Sequence, residues 1–542
     1  MKKNPSTFYF IFLLAIIISF SACDENNDGT DDIPEEILQI FEKPLYSQAV
    51  WGLRVEDAET GELIYDLQSN RDFLIGSVRK LYSVGVYLNE VGSEHLFVTP
   101  VHRQGNVNEA GVLDGDLILV AEGDLTMGGR RNPDGTMAIT DFDHNEANSL
   151  GNAELTEPNP LWGYGSLAKQ VFDSGITEIN GEIIIDDRLF EPFEFRDENW
   201  DVRPIFINDD VVDVIMNPTE PVDPASVDYR PKSSAFEVVS GLLTAGAGVG
   251  ENVLLSPEEP ECIGEENCTG SVTGELPVDF IPPLTDSFPL IQTFRITEPS
   301  NYARTVFIEE LVKAGVTVNA DAIGLNPEES LPPVNSYTED TKVAELISLP
   351  YSEYAKLILK VSYNIGADTS LVLYGLTQGV NNIESSLDVE RTTLTEDFGI
   401  NGNDFDFVDG SGGGFTTAKN KATTKFLEDM IQKAVFPEYF DALPILAEDG
   451  SLAFISDFLS DPTLAGAAGN VRAKTGTFIE GLDPNPPDFR AQALAGYIDA
   501  KSGRRLIFSI VVNDVGPIMS LDPVLETFQD QGTISAIIWR DN

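Results

Sequence analysis

Apolar and polar residues alternate from Ala49 to Leu67, and Asp57-Ala58-Glu59-Thr60-Gly61-Glu62 interrupts the alternation once. Two period-two runs around a glycine-containing break predict a β-hairpin with Thr60-Gly61 in the turn. The pattern then changes. Val78, Leu81, Val84, Leu88 and Val91 recur every three or four positions, and Gly92 follows them. That spacing predicts a helix opening at Ser77 and ending at Gly92. From about 101 to 339 short β-like runs dominate, such as "GVLDGDLILVAEGD" and "EINGEIIIDDRLF", with Gly, Pro and Asp between them. Only two clear helical patterns occur there, Trp162 to Ser174 and Tyr302 to Ala314. After about 340 helical patterns return, in "VAELISLPYSEYAKLILKVSYNIGADTSLVLYGLTQG" and "KNKATTKFLEDMIQKA". The chain ends on three strand-like runs, "NVRAKTGTF", "AQALAGYIDA" and "RRLIFSIVVND", and a last helix. The order predicts a mixed α/β fold whose sheet is built from both chain ends, interrupted by a β-rich insertion.

The N-terminus follows another logic. Lys2 and Lys3 precede an apolar run, Phe8 to Ile18, that is short for a membrane span, and Phe20-Ser21-Ala22-Cys23 comes next. Small residues directly before a cysteine resemble a bacterial lipobox. The expectation is a lipoprotein signal over 1–22, a lipid on Cys23, and an exported protein anchored to a membrane. The acidic, Asn- and Gly-containing stretch beyond it predicts a flexible tether, placed over 23–40. The net charge of −55 excludes nucleic acid as a partner, because phosphates would be repelled. With Cys23 lipidated, Cys262 and Cys268 remain, in one acidic loop. A local disulfide is expected in an oxidising compartment. Their spacing lacks the second ligand pair of a zinc site, and neither a metal nor a cofactor is expected.

The chain has three histidines, no H-E-x-x-H and no G-x-S-x-G. A serine enzyme built here therefore needs a base other than histidine, and a desolvated lysine can serve. Ser77 and Lys80 lie one helical turn apart, at a helix start whose free N–H groups can stabilise an oxyanion. Ser166 and Lys169 repeat the spacing, but no strand pair precedes them. Ser362-Tyr363-Asn364 is the only S-x-N of the chain, and Lys474-Thr475-Gly476 opens the first C-terminal strand. Lys501-Ser502-Gly503 looks similar but has the composition of a hairpin turn. S-x-x-K, S-x-N and K-T-G in this order form the signature of penicillin-binding proteins and class A β-lactamases.

With these motifs the chain resembles low-molecular-weight penicillin-binding proteins of the D-alanyl-D-alanine carboxypeptidase/endopeptidase family, which carry a large insertion between the first two motifs. The 285 residues from Ser77 to Ser362 match that plan. "VEDAETGELIYD", "GDLILVAEGDLTM", "DGSGGG" and "GNVRAKTGTF" extend the resemblance along the chain. The resemblance implies a split transpeptidase-like domain, 41–100 and 340–542, with an antiparallel sheet flanked by helices, and an inserted β-rich accessory region at 101–339. It implies that Ser77 attacks the penultimate D-alanine of a peptidoglycan stem peptide, with Lys80 as base. Ser362 and Lys474 then relay the proton to the leaving amine. Asn364 binds the substrate amide, and Thr475 with Lys474 holds the terminal carboxylate. The backbone N–H groups of Ser77 and Thr477 form the oxyanion hole, beside Gly476. β-Lactams are expected as further ligands. Tyr363 stands where the family has Asp, Ile75-Gly76 precedes Ser77 in place of Pro-Ala, and Asp409-Gly410-Ser411-Gly412-Gly413-Gly414 replaces Asp-Gly-Ser-Gly-Leu-Ser. The competing readings are a β-lactam or ester hydrolase on the same motifs, and an inactive cell-wall-binding lipoprotein.

Overall fold

The computed structural model describes residues 33–196, 200–334, 336–481 and 486–542. The expected signal segment and Cys23 lie outside them. The hairpin Val50–Asp57 and Leu63–Leu67 forms as its alternation predicts, with Leu53 opposite Leu67 and Val55 opposite Tyr65. Val50–Asp57 also pairs antiparallel with Arg505–Pro517 near the other end of the chain. The sheet continues through Asp488–Asp499 to Val471–Glu480 at its edge, five antiparallel strands in all. The Lys501-Ser502-Gly503 stretch is the turn between Asp488–Asp499 and Arg505–Pro517.

Strand alternation divides the sheet's side chains between two cores. Leu53, Val55, Leu494, Ile498, Phe508 and Ile510 pack with Ile534 and Ile538 of the C-terminal helix Asp522–Asp541. The other face is lined by Ala493, Ala495, Tyr497 and Val511, the helix Asn420–Ile431 lies on it, and the helices Lys80–Val91, Tyr351–Val361 and Asn364–Thr377 share its core. The small side chains on that face let helices come close.

Three stretches differ from the sequence reading. The tether expected over 23–40 lies outside the described residues up to 32, and its last part is a helix, Glu35–Phe41. Ile33, Ile37 and Ile40 are buried against the core of the C-terminal helix. Their spacing of three and four is an apolar stripe hidden among acidic residues. Next, Lys342–Pro350 is a strand before the helices resume. It pairs antiparallel with Leu96–Val107, and its Ala344 and Leu346 point into the core. The reading placed the insertion's limits at 101 and 339, inside Leu96–Val107 and just before Lys342–Pro350. The paired strands set the natural limits near 96 and 350.

The third difference concerns the accessory character of the inserted region. The inserted region has its own core around Leu117, Leu119, Ile183, Ile185, Phe294 and Phe307. Helices Trp162–Asp173 and Pro299–Ala314 pack on its mixed sheet. Cys262 and Cys268 are joined by a disulfide, and Cys268 is buried in this core. Yet Leu125, Met137, Phe195, Trp200 and Phe206 pack into the core of the catalytic helices. The insertion is joined to the catalytic part by a shared apolar contact, so it is more than an appended domain.

Candidate active site

The strand Phe73–Leu74 leads into a 3₁₀ turn, Gly76–Arg79, and then the helix Lys80–Val91. Ser77 therefore sits in the first turn, among N–H groups without helical partners. Two glycines explain how the edge strand reaches it. A Cβ on Gly476 would lie 2.1 Å from the Ile75 carbonyl oxygen and 2.9 Å from the Ser77 nitrogen. A Cβ on Gly76, whose φ is +48°, would lie 2.9 Å from the Thr477 nitrogen. Only glycine at both places lets Val471–Glu480 dock on the serine turn, and the docking sets the Thr477 backbone against Gly76, next to Ser77.

Lys80 is fully buried. Its Nζ lies 2.6 Å from Ser77 Oγ, 2.6 Å from Asn364 Oδ1 and 2.9 Å from the Ser411 carbonyl oxygen. Ser362 ends the helix Tyr351–Val361 in a left-handed conformation, and Asn364 starts the next helix two residues later. The break turns Ser362 to Lys474 and Asn364 to Lys80. Lys474 Nζ donates to Ser362 Oγ at 2.9 Å and to the Thr475 carbonyl at 2.9 Å. Thr475 bonds Ser451 at 3.0 Å, and Thr477 Oγ1 donates to Gln492 at 2.8 Å. Tyr363 is buried and its ring packs beside Gly366.

Burial and neighbouring cations set the lysines' protonation. Burial first, and then the Arg196 guanidinium, push the Lys80 amine down to about 7, against smaller upward pulls from Glu146, Asp368 and Asp409. Lys474 lies well below its ordinary value through burial and the nearby Lys80. The effect is that of like charges sharing a dry site.

The loop Asp409–Gly414 supplies the lysine's third contact. Asp409 accepts from the N–H groups of Ser411, Gly412 and Gly413, at 3.1, 2.6 and 2.8 Å. This wrap aims the Ser411 carbonyl at Lys80. Behind it, Arg79 is wholly buried, paired with Glu390, donating to the Asp409 carbonyl at 2.8 Å and lying 4.2 Å from the centre of the Phe407 ring. Arg79→Met should leave Glu390 buried without a partner and cost about 3–5 kcal/mol. Urea unfolding measures that loss, and a change under about 1 kcal/mol would contradict it.

The structure brings Ser77, Lys80, Ser362, Asn364, Lys474, Thr475, Gly476 and Thr477 together. It leaves Ser166 out. Lys169 pairs instead with Asp173 on an exposed helix face. Residues that the sequence reading missed are Glu146 and Arg196 of the insertion, and the Ser411 carbonyl. Asn364 Nδ2 donates to Glu146 at 2.6 Å, and Arg196 donates to Asn364 Oδ1 and to Ser411 Oγ, both at 3.2 Å. No local motif surrounds Glu146 or Arg196, so nothing in the sequence singles them out.

The model of the D-Ala-D-Ala carboxypeptidase 3 (S13) family matches residues 34–524. The chain belongs to that family. It is a serine-type D-Ala-D-Ala carboxypeptidase, a penicillin-binding enzyme of peptidoglycan, and acts outside the cytoplasm. A D-alanyl-D-alanine carboxypeptidase of Actinomadura sp. is 26% identical over 513 residues, covering 90% of this chain and 82% of the relative. Carboxypeptidase DacB of Mycolicibacterium smegmatis is 27% identical over 36% of this chain and 41% of its own. Penicillin binding protein 4 of Haemophilus influenzae shares the fold, with a TM-score of 0.65 at 18% identity, over 91% of this chain and 98% of that one. Among the described residues no helix is long and apolar enough to cross a membrane.

Proposed function

We propose that the enzyme works through an acyl-enzyme on Ser77, with Lys80 as the general base. The supporting observation is the bonding pattern of Lys80. A neutral amine has two N–H groups and one lone pair. Asn364 Oδ1 and the Ser411 carbonyl can only accept, so they take the two N–H groups. The lone pair is left for the Ser77 hydroxyl at 2.6 Å.

The steps follow. Ser77 Oγ bonds to the carbonyl carbon of the penultimate D-alanine as its proton passes to Lys80. The N–H groups of Ser77 and Thr477 hold the oxyanion. Thr475 and Lys474 hold the terminal carboxylate, whose negative charge favours the protonated form of Lys474, the proton coming from solvent. Ser362 and Lys474 relay the proton that Lys80 took to the leaving amine as the C–N bond breaks, which leaves Lys80 neutral again. Water, deprotonated by the same base, then releases the acyl group and regenerates Ser77. Cutting a peptide cross-link uses the same acyl-enzyme with a different leaving amine. Asn364 holds the substrate amide in either case. The lipobox-like stretch supports a lipid on Cys23 that anchors the mature protein to a membrane.

D-Alanine release from a pentapeptide stem, followed across pH, tests this reading. Lys80 accepts a proton only when neutral, and its depressed pKa lies at about 7. kcat/KM should therefore rise with pH through an acidic limb near 7, and fall about tenfold per pH unit below it. Lysine with an ordinary pKa would place the limb above pH 10. That outcome, or no D-alanine release, would contradict the proposal.

A further inference from the structure

We propose that Glu146, a side chain of the inserted region, is a positioning residue for catalysis: it fixes which way round the Asn364 amide sits, and so keeps Lys80's lone pair on Ser77. The inference rests on Lys80 being the base.

An asparagine amide has an accepting end and a donating end of nearly the same shape. With Oδ1 toward Lys80, it takes an N–H from the amine. Turned over, Nδ2 would offer a hydrogen to Lys80 instead. The lysine lone pair would then be spent on Asn364, and Ser77 would lose its base. The catalytic helices alone do not decide between the two orientations. Glu146 does, because a carboxylate only accepts and therefore demands Nδ2, which it meets at 2.6 Å. Arg196, which only donates, makes the opposite demand at the other end, meeting Oδ1 at 3.2 Å.

Glu146 is rigidly held for this task. It ends the 3₁₀ turn His144–Glu146, and Asp143 caps that turn by accepting from the Asn145 N–H at 3.3 Å. Asp143 is itself gripped by both terminal nitrogens of Arg130, at 2.7 and 2.7 Å. His144 Nδ1 lies 2.7 Å from Asp213, and its Nε2 lies 3.0 Å from Asp209. Arg130, Asp143, His144, Asp209 and Asp213 are all buried. These ion pairs occupy one another, and their consequence for the active site is a fixed Glu146.

Charge alone predicts the opposite effect, which makes the idea testable. The charged groups facing Lys80 are Lys474 on the edge strand, Asp368 on the helix Asn364–Thr377, Asp409 in its loop, and Arg196 and Glu146 from the insertion. The Glu146 carboxylate favours protonated Lys80. Removing its charge should leave more neutral lysine and faster acylation at low pH, if charge were its only role.

The experiment is acylation by a fluorescent penicillin across pH, on Glu146→Leu and Glu146→Gln, with melting curves for each. The Leu variant should acylate at least about 30-fold more slowly on the pH plateau, because the amide is no longer oriented. The Gln variant keeps an accepting oxygen, so its plateau should stay within about threefold of the parent while the acidic limb moves to lower pH. A folded Leu variant that acylates as fast as the parent, or faster, would overturn the proposal. So would a Gln variant that loses its plateau as the Leu variant does. If Glu146→Leu fails to fold, Glu146→Ala takes its place: a folded Ala variant whose plateau falls by about 30-fold supports orientation, and one that keeps its plateau overturns it. A parent limb near 7 with an unaffected Leu variant sinks this inference and leaves Lys80 as base. A parent limb above pH 10 sinks the base assignment itself.

Discussion

Ser77→Ala is expected to abolish penicillin acylation and D-alanine release, by about 10⁴-fold or more, while Ser166→Ala keeps both. The chain contains its own control, since both serines open an S-x-x-K. Spacing does not separate them, but surroundings do. Lys80 is wholly buried and pushed down to about 7, so a neutral amine faces the Ser77 hydroxyl near neutral pH. Lys169 has 72% of its side chain exposed and pairs with Asp173. Lys169 is turned to the Asp173 carboxylate, one helical turn on, and Ser166 is not among its partners. Ser77 also has the N–H groups of a helix start and of the docked edge strand beside it, and Ser166 lies within the helix Trp162–Asp173, past its first turn. The readouts are acylation kinetics and D-alanine release on each variant. Activity that survives in Ser77→Ala and disappears in Ser166→Ala would reverse the assignment.

Gly476→Ala should cost nearly as much, without touching any reacting side chain. The added Cβ would fall 2.1 Å from the Ile75 carbonyl oxygen, 2.7 Å from the Val78 nitrogen and 2.9 Å from the Ser77 nitrogen. All are backbone atoms of the serine turn, so no side chain can swing away. The strand is also held from behind, where Gly476 pairs with Ala493. The edge strand and the serine turn must move apart by around 1 Å. That movement separates the Ser77 and Thr477 N–H groups and shifts Lys474 from Ser362. Misplacement on this scale costs on the order of 100-fold in rate. Acylation should fall by that factor or more in a protein that still folds, as judged by its melting curve. Acylation within about threefold of the parent would show that the two glycines are packing features only.

Much of this was legible in the chain. S-x-x-K, S-x-N and K-T-G are local patterns, and each marks one wall of the site. The hairpin at 50–67 is legible through its period-two alternation, and the strands at 471–517 as short apolar runs bounded by turns, because the sheet is buried on both faces there. Glu146 was not legible. Its role depends on a partner 218 residues away in the chain, and one glutamate among so many acidic residues carries no signal. Within Lys342–Pro350 the apolar Val343, Leu346 and Ile347 also fit a helical spacing over a short run. The partner strand Leu96–Val107 decides the matter, and only the fold supplies it. The helix Glu35–Phe41 was masked in the same way, since acidic composition outweighed a short isoleucine stripe until Asp522–Asp541 gave that stripe a surface to cover.

The most direct test of the account is the site of the covalent adduct. The intact protein is acylated with penicillin, quenched in acid, digested and analysed by mass spectrometry. The expected result is a penicilloyl group on the peptide that contains Ser77, with the peptides containing Ser166, Ser362 and Ser411 unmodified. An adduct on any of those other serines, with Ser77 free, would contradict it.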